Sequence, residues 1–200
     1  MCRIFHVSML ALFIFLFVFD CSFADEHDPR WAKPLFAPGV PNFFQVAPNF
    51  YRSAQPTGEG MRSLEKLGIK TVITLRYFHS DKDELEGTGL SGIKVPMHTW
   101  NAEIEDVVRV LAVLSDPSGA PYLLHCQHGA DRTGMMTAMY RIVLQGWERE
   151  EAIREMKEGE YGFHAIWDNL IRFIETADTE NIKRRLLQKE ATGALLPVPK

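Results

Sequence analysis

One segment, His125-Cys126-Gln127-His128-Gly129-Ala130-Asp131-Arg132-Thr133-Gly134, constrains the fold of this chain more than any other. The apolar run Tyr122-Leu123-Leu124 leads into it, and a helix-compatible run from Met135 to Leu144 follows. The unit reads as buried strand, tight loop and helix N-terminus. The flanking sequence repeats that alternation. Phe43-Phe44-Gln45-Val46 and Phe50-Tyr51-Arg52 are short strand candidates parted by Pro48-Asn49. Thr57 is placed to cap a helix running to Leu67, which Gly68 ends. Ile69 to Leu75 is the clearest strand, His79 to Gly89 a polar excursion, and Ile93 to Met97 another strand. Asn101 is the expected cap of a helix whose apolar positions Ile104, Val107, Val108, Leu111 and Leu114 recur at helical spacing. Gly146 ends the helix after the loop, two more follow near 148–158 and 165–176, and Lys183-Arg184-Arg185 reads as a solvated helix face. The expected class is α/β, a sandwich with a central, mostly parallel sheet flanked by helices.

A helix start offers unpaired backbone N–H groups and the positive end of the helix dipole, and a loop wrapped over it adds more N–H groups in a concave nest. Cys126 lies at the base of that nest. Arg132, six positions on, has the planar two-pronged donor that fits two phosphate oxygens. The thiolate is the nucleophilic form of cysteine, and the donors that hold a phosphate also favour it. The expected phosphate-binding residues are Gln127, His128, Gly129, Ala130, Asp131, Arg132 and Thr133, with Cys126 and Arg132 catalytic. Thr133 can give its hydroxyl to the departing sulfur, and Gly129 lets the loop turn. Phosphoryl transfer is mostly positioning and charge stabilisation, so no cofactor and no metal are expected.

With 200 residues, 46% hydrophobic, and a net charge of −4, the chain suits one globular domain, and its acidity argues against nucleic acid as a partner. The first residues read as a signal peptide, 1–24. Met1 and Arg3 precede the apolar run from Val7 to Phe19, and Ser22-Phe23-Ala24 places small residues at a cleavage site. An uncleaved membrane anchor is the alternative. After cleavage no stable membrane insertion is expected, and the protein would be exported, periplasmic or secreted. Cleavage would remove two of the three cysteines and leave Cys126 alone, which suits a nucleophile better than a disulfide framework. The remainder divides into an irregular leader at 25–42, a domain at 43–178, and a C-terminal helix or tail at 179–200.

His125-Cys126, five residues, then Arg132-Thr133-Gly134 resembles the signature of the cysteine-dependent protein-tyrosine and dual-specificity phosphatases. Tyr51-Arg52-Ser53-Ala54-Gln55-Pro56 and Gly68-Ile69-Lys70-Thr71-Val72-Ile73 are similar to segments of bacterial exported members, and the resemblance spans about 43–175. It implies the compact dual-specificity-phosphatase fold, a phosphocysteine intermediate, and a phosphorylated protein or small phosphomonoester as substrate. Most members take an aspartate general acid from a mobile loop, but Pro96-Met97-His98-Thr99-Trp100-Asn101-Ala102-Glu103 holds none. The sharper substitute is Asp131, catalytic with Cys126 and Arg132 as in myotubularin-like, Sac-like and some secreted bacterial phosphatases, or else fixing the loop by accepting backbone N–H bonds. The other is His98 or Glu103 on the movable segment, while Glu105 and Asp106 read as solvent-facing. A phosphoinositide or inositol-phosphate phosphatase is the second reading, weakened by the absence of lysine inside the loop. A phosphate-ester-binding module without turnover is the third. Arg52 and Arg76 are candidates for the pocket wall or for structural ion pairs. Trp100, His164 and Trp167 are candidate borders of the cleft, with a core or packing role the first expectation for both tryptophans.

Overall fold

In the computed structural model, which describes residues 28–192, the apolar runs assemble into one six-stranded sheet. The strands are β1 (Lys33–Pro34), β2 (Phe44–Ala47), β3 (Phe50–Ser53), β4 (Thr71–Arg76), β5 (Ser91–Met97) and β6 (Tyr122–His125), in the order β1-β2-β3-β6-β4-β5. Pairs β3–β6, β6–β4 and β4–β5 are parallel, whereas β1–β2 and β2–β3 are antiparallel, so the sheet is mixed with a parallel centre. The helices are α1 (Gly58–Lys66), α2 (Lys82–Leu85), α3 (Ile104–Ser115), α4 (Asp131–Gln145), α5 (Arg149–Glu158), α6 (Asp168–Thr176) and α7 (Thr179–Thr192). The expected signal segment lies outside the described residues. Among the described residues no helix is long and apolar enough to cross a membrane.

Alternation along the central strands explains the layers. Ile73, Leu75, Tyr122 and Leu124 join the core beneath α3 to α7, while Val72 and Leu123 point the other way onto Met61 and Leu64 of α1. Strands covered on both faces read as continuous apolar runs, which is why β4 and β6 stand out in the sequence. Helix α4 runs through the larger core and is buried along most of its length, with Met135, Met136 and Met139 fully enclosed. It begins at Asp131, four residues before the apolar run, because Arg132 and Thr133 of the loop already form its first turn. Gly146 closes it in the left-handed region, φ 73°.

The core extends past 43–178 on both sides. Ala32, Ala37 and Val40 are buried ahead of it, and Ile182 and Leu186 of α7 are buried behind it. The leader segment is therefore not wholly irregular; it supplies the edge strand β1, paired with β2. Asn101 does not cap α3. Glu103 holds that position, and the Asn101 amide donates to its carboxylate at 2.8 Å. The polar excursion after β4 folds into the single turn of α2.

Candidate active site

The loop 126–130 leaves the carboxyl end of β6, between the ends of β3 and β4, where open α/β sheets place their ligands. Helix α4 has Ala130 at its cap and no side chain satisfying its first N–H groups, so these remain available to an anion at the loop. Cys126 is 1% exposed at the loop's base. Gly129 is indispensable on two counts. Its φ is +70°, and a Cβ there would lie 2.5 Å from the backbone of Ser53 and Ala54.

Arg132 is held where two strands end: its Nη1 donates to the carbonyls of Leu75, 3.2 Å, and Met97, 3.4 Å. That leaves its other N–H groups for a phosphoryl group. Thr133 is fully buried, and its hydroxyl has no hydrogen-bond partner. Gln127 and His128 are exposed on the outer turn of the loop. Asp131 is buried and faces the cleft; its carboxylate accepts the His164 backbone N–H at 2.9 Å and lies 3.0 Å from His164 Nδ1.

A cleft of about 300 Å³ opens above the loop. Its lining combines Gln127, His128, Asp131 and Arg132 of the loop and the start of α4 with Arg76, Tyr77, His98, Trp100 and Trp167. Tyr77, His98 and Trp100 stack in series, with ring centroids 3.9 Å and 4.4 Å apart. Trp100, 63% exposed, and Trp167 both line the cleft, so the border role the sequence offers them holds, for Trp100 over the packing one. Of the two acid candidates on this segment, only His98 lines the cleft. Glu103 is exposed at the cap of α3, turned to Asn101. Asp106, expected at the solvent face, is buried.

Beneath the loop lie two sets of contacts that the sequence does not show. Arg52 is 1% exposed and takes neither expected role: its Nη2 donates to the Gly129 carbonyl at 2.7 Å, and its guanidinium lies over the Tyr161 ring at 3.8 Å. Its Nε and Nη1 are buried without partners. His125 is fully buried, and its Nε2 meets the Asp81 carboxylate at 2.7 Å. Burial pushes the Asp81 carboxyl up, but the His125 hydrogen bond and charge, with Gln55 and His79, outweigh it and hold the group below the usual carboxylate range. Gln55 passes the network on to Arg76, which donates to it at 3.0 Å. Asp81 lies in a polar stretch with no periodicity to mark it. Tyr51-Arg52-Ser53, in contrast, reads as a strand, and a charged residue inside a buried strand was the available signal.

Residues 42–171 match the family model described as a DSP-PTPase phosphatase fused to NAD+ kinase. The dual specificity protein phosphatase TpbA of Pseudomonas aeruginosa strain UCBPP-PA14 is 32% identical over 173 residues, covering 84% of this chain and 77% of that protein. The crystal structure of P. aeruginosa TpbA superposes with a TM-score of 0.72 at 30% identity, over 80% of this chain and 98% of that one. The catalytic core of the Saccharomyces cerevisiae PP-IP phosphatase SIW14, solved with citrate, superposes at 0.63 with 27% identity, over 80% of this chain and 96% of that one. Matching sequence, sheet and helices across the loop-bearing domain, the chain belongs to the DSP-PTPase family and is a cysteine-dependent phosphatase of the protein-tyrosine and dual-specificity type.

Proposed function

We propose that this phosphatase acts on aryl phosphate esters, with phosphotyrosyl groups as the protein-borne form. The cleft carries this reading: its lining joins an anion-binding loop and Arg132 to the Tyr77-His98-Trp100 aromatic stack, the groups suited to a flat ring ending in a phosphate. A variant of the Pseudomonas relative solved in complex with pTyr supports it. In this mechanism Cys126 Sγ attacks phosphorus as the ester P–O bond breaks, while the loop N–H groups and Arg132 hold the remaining phosphoryl oxygens. Water then attacks the phosphocysteine, the S–P bond breaks, and the unpartnered Thr133 hydroxyl donates to the leaving thiolate.

His98 gives the leaving oxygen its proton. Imidazole is the side chain that ordinarily exchanges a proton near neutral pH, and His98 is the acid candidate of the movable segment that lines the cleft. Asp131 is engaged instead as an acceptor for His164, anchoring the segment before α6 to the phosphate loop. A second reading, hydrolysis of inositol phosphates, draws support from a relative named inositol diphosphatase SIW14, 28% identical over 72% of this chain and 53% of its own length. The N-terminal apolar run and the small residues after it support export to the periplasm or beyond.

The test is phosphate release by the full chain, under reducing conditions with EDTA, from p-nitrophenyl phosphate, phenyl phosphate, a phosphotyrosyl peptide and an inositol phosphate. Cys126→Ser abolishes turnover in every case. His98→Gln slows phenyl phosphate about 100-fold and p-nitrophenyl phosphate far less, because the better leaving group needs less protonation. Asp131→Asn does not steepen that dependence. Full turnover by Cys126→Ser would overturn the nucleophile, and faster release from the inositol phosphate than from the peptide would favour the second reading.

A further inference from the structure

We propose that His128, Asp131 and His164 form a binding site for a zinc-like divalent cation on the rim of the catalytic cleft, and that the bound ion switches the phosphatase off. The three side chains come from separate places: the outer turn of the phosphate loop, the first residue of α4, and the segment ahead of α6. Their ligand atoms nonetheless all lie within 4.8 Å of one another. Asp131 is buried and fixed, whereas the two imidazoles are exposed, with ring centroids 5.3 Å apart. A buried carboxylate already in contact with His164 Nδ1, with the exposed His128 ring beside that histidine, is a donor set an ion can draw together. Zinc takes such donors at roughly 2.0–2.2 Å, which sets tetrahedral ligands about 3.4 Å apart and leaves a fourth position open. Two nitrogens and one oxygen suit zinc, cobalt or nickel better than magnesium or calcium.

The sequence suggests no metal here, because the spacing of the three residues matches no ligand motif; the fold alone brings them together. Occupancy has a direct consequence for the cleft. His128 and Asp131 line it beside Arg132. An ion held by them occupies the rim at His128 and Asp131, beside the Arg132 that must take the phosphoryl group. Chelation reverses this, so the ion acts as a regulator and not as a cofactor.

The inhibitory half rests on the phosphatase reading, whereas binding is measured apart from it. The full chain bearing Cys126→Ser, which removes the thiolate as a competing ligand, is titrated with cobalt(II) and followed by its visible absorption. Adding His128→Ala or His164→Ala should each remove one equivalent of bound cobalt. His79→Ala, which disrupts the separate His79-Asp81-Glu84 group, should not. His128 is exposed, with its ring against His164, so its replacement tests the site even where loss of His164 loosens the Asp131 anchor. In the Cys126 enzyme, zinc inhibits and EDTA restores turnover; His128→Ala raises the zinc concentration for half-inhibition by about tenfold or more. Equal cobalt uptake by all four chains overturns the site. Undiminished zinc inhibition in His128→Ala assigns inhibition to the thiolate and overturns the switch.

Discussion

Arg52 is a buried cation with no carboxylate hydrogen-bonded to it among the described residues; a carbonyl of the phosphate loop and the face of Tyr161 hold it. Burial pushes its guanidinium below the ordinary value, while Tyr161, Glu155 and Cys126 act in the other direction. A buried charge with burial outweighing its counter-charges is costly, and in the proposed mechanism a thiolate or a bound phosphate at the loop adds to them. Arg52→Met should therefore weaken competitive inhibition by inorganic phosphate about 10–100-fold, the worth of a charge-assisted contact of roughly 1.5–3 kcal/mol. Arg52→Lys should recover part of that affinity at comparable thermal stability. Equal affinity in the two variants would make the role one of packing. Asp106 presents the opposite problem. Burial, reinforced by the charge of Glu103, pushes its carboxyl up to about 6 despite a backbone hydrogen bond at Glu103. An unfolded aspartate titrates near about 3.9, so between these values the folded chain keeps a proton that the unfolded chain has released. Stability from this residue is present at low pH and is lost as pH rises through that window. Asp106→Asn should be neutral in urea unfolding near pH 3.5 and stabilising by about 1–2 kcal/mol near pH 7.5.

Helices α4 and α5 are joined by a bidentate pair, Arg141 to Glu155, with both bonds 2.8 Å and both residues almost fully buried. Replacing one member of such a pair leaves a buried charge alone, so Glu155→Gln should cost about 3–5 kcal/mol in chemical unfolding. A cost below about 1 kcal/mol would mean that water reaches the pair, as it does at surface bridges. Neither residue announces this role in the sequence; each reads as an exposed helix charge, because pairing across elements leaves no local pattern. The same limit explains Asp81 and the partners of Arg52 and His164, two residues the sequence singles out but not for these contacts. Apolar periodicity, by contrast, is local, and it made β4, β6 and α3 legible, with Val72-Ile73 and Leu123-Leu124 filling two cores at once. The phosphate loop was legible because its chemistry is contained in consecutive residues. What lines the cleft beside it was not: the Tyr77-His98-Trp100 stack joins the ends of two strands that are neighbours only in space.

The segment ahead of β2 binds the whole molecule together. The Ala32 N–H donates to Glu155 at 2.7 Å, and the Arg30 carbonyl accepts from Arg141 at 3.1 Å, so backbone from this segment completes the buried pair. Ala37 and Val40 fill the smaller core against α1. Asn42 reaches the site itself: its amide donates to the carbonyls of His128 at 2.8 Å and Tyr161 at 2.9 Å, clamping the phosphate loop to the segment before α6. A chain beginning at residue 43 thus loses a partner of a buried charge, an edge strand and a loop clamp together. Against a chain beginning at residue 28, the shorter one should melt about 10–15 °C lower, which at roughly 2–4 °C per kcal/mol for this size corresponds to about 4–5 kcal/mol. Asn42→Ala in the longer chain separates the clamp from the rest. It should weaken phosphate binding while shifting the melt by only about 2–4 °C, one hydrogen-bonding side chain being worth about 1 kcal/mol. Equal melting of the two chains would make the leader a passive covering, and unchanged phosphate affinity in Asn42→Ala would mean that the loop holds its shape through Gly129 and Arg52 alone.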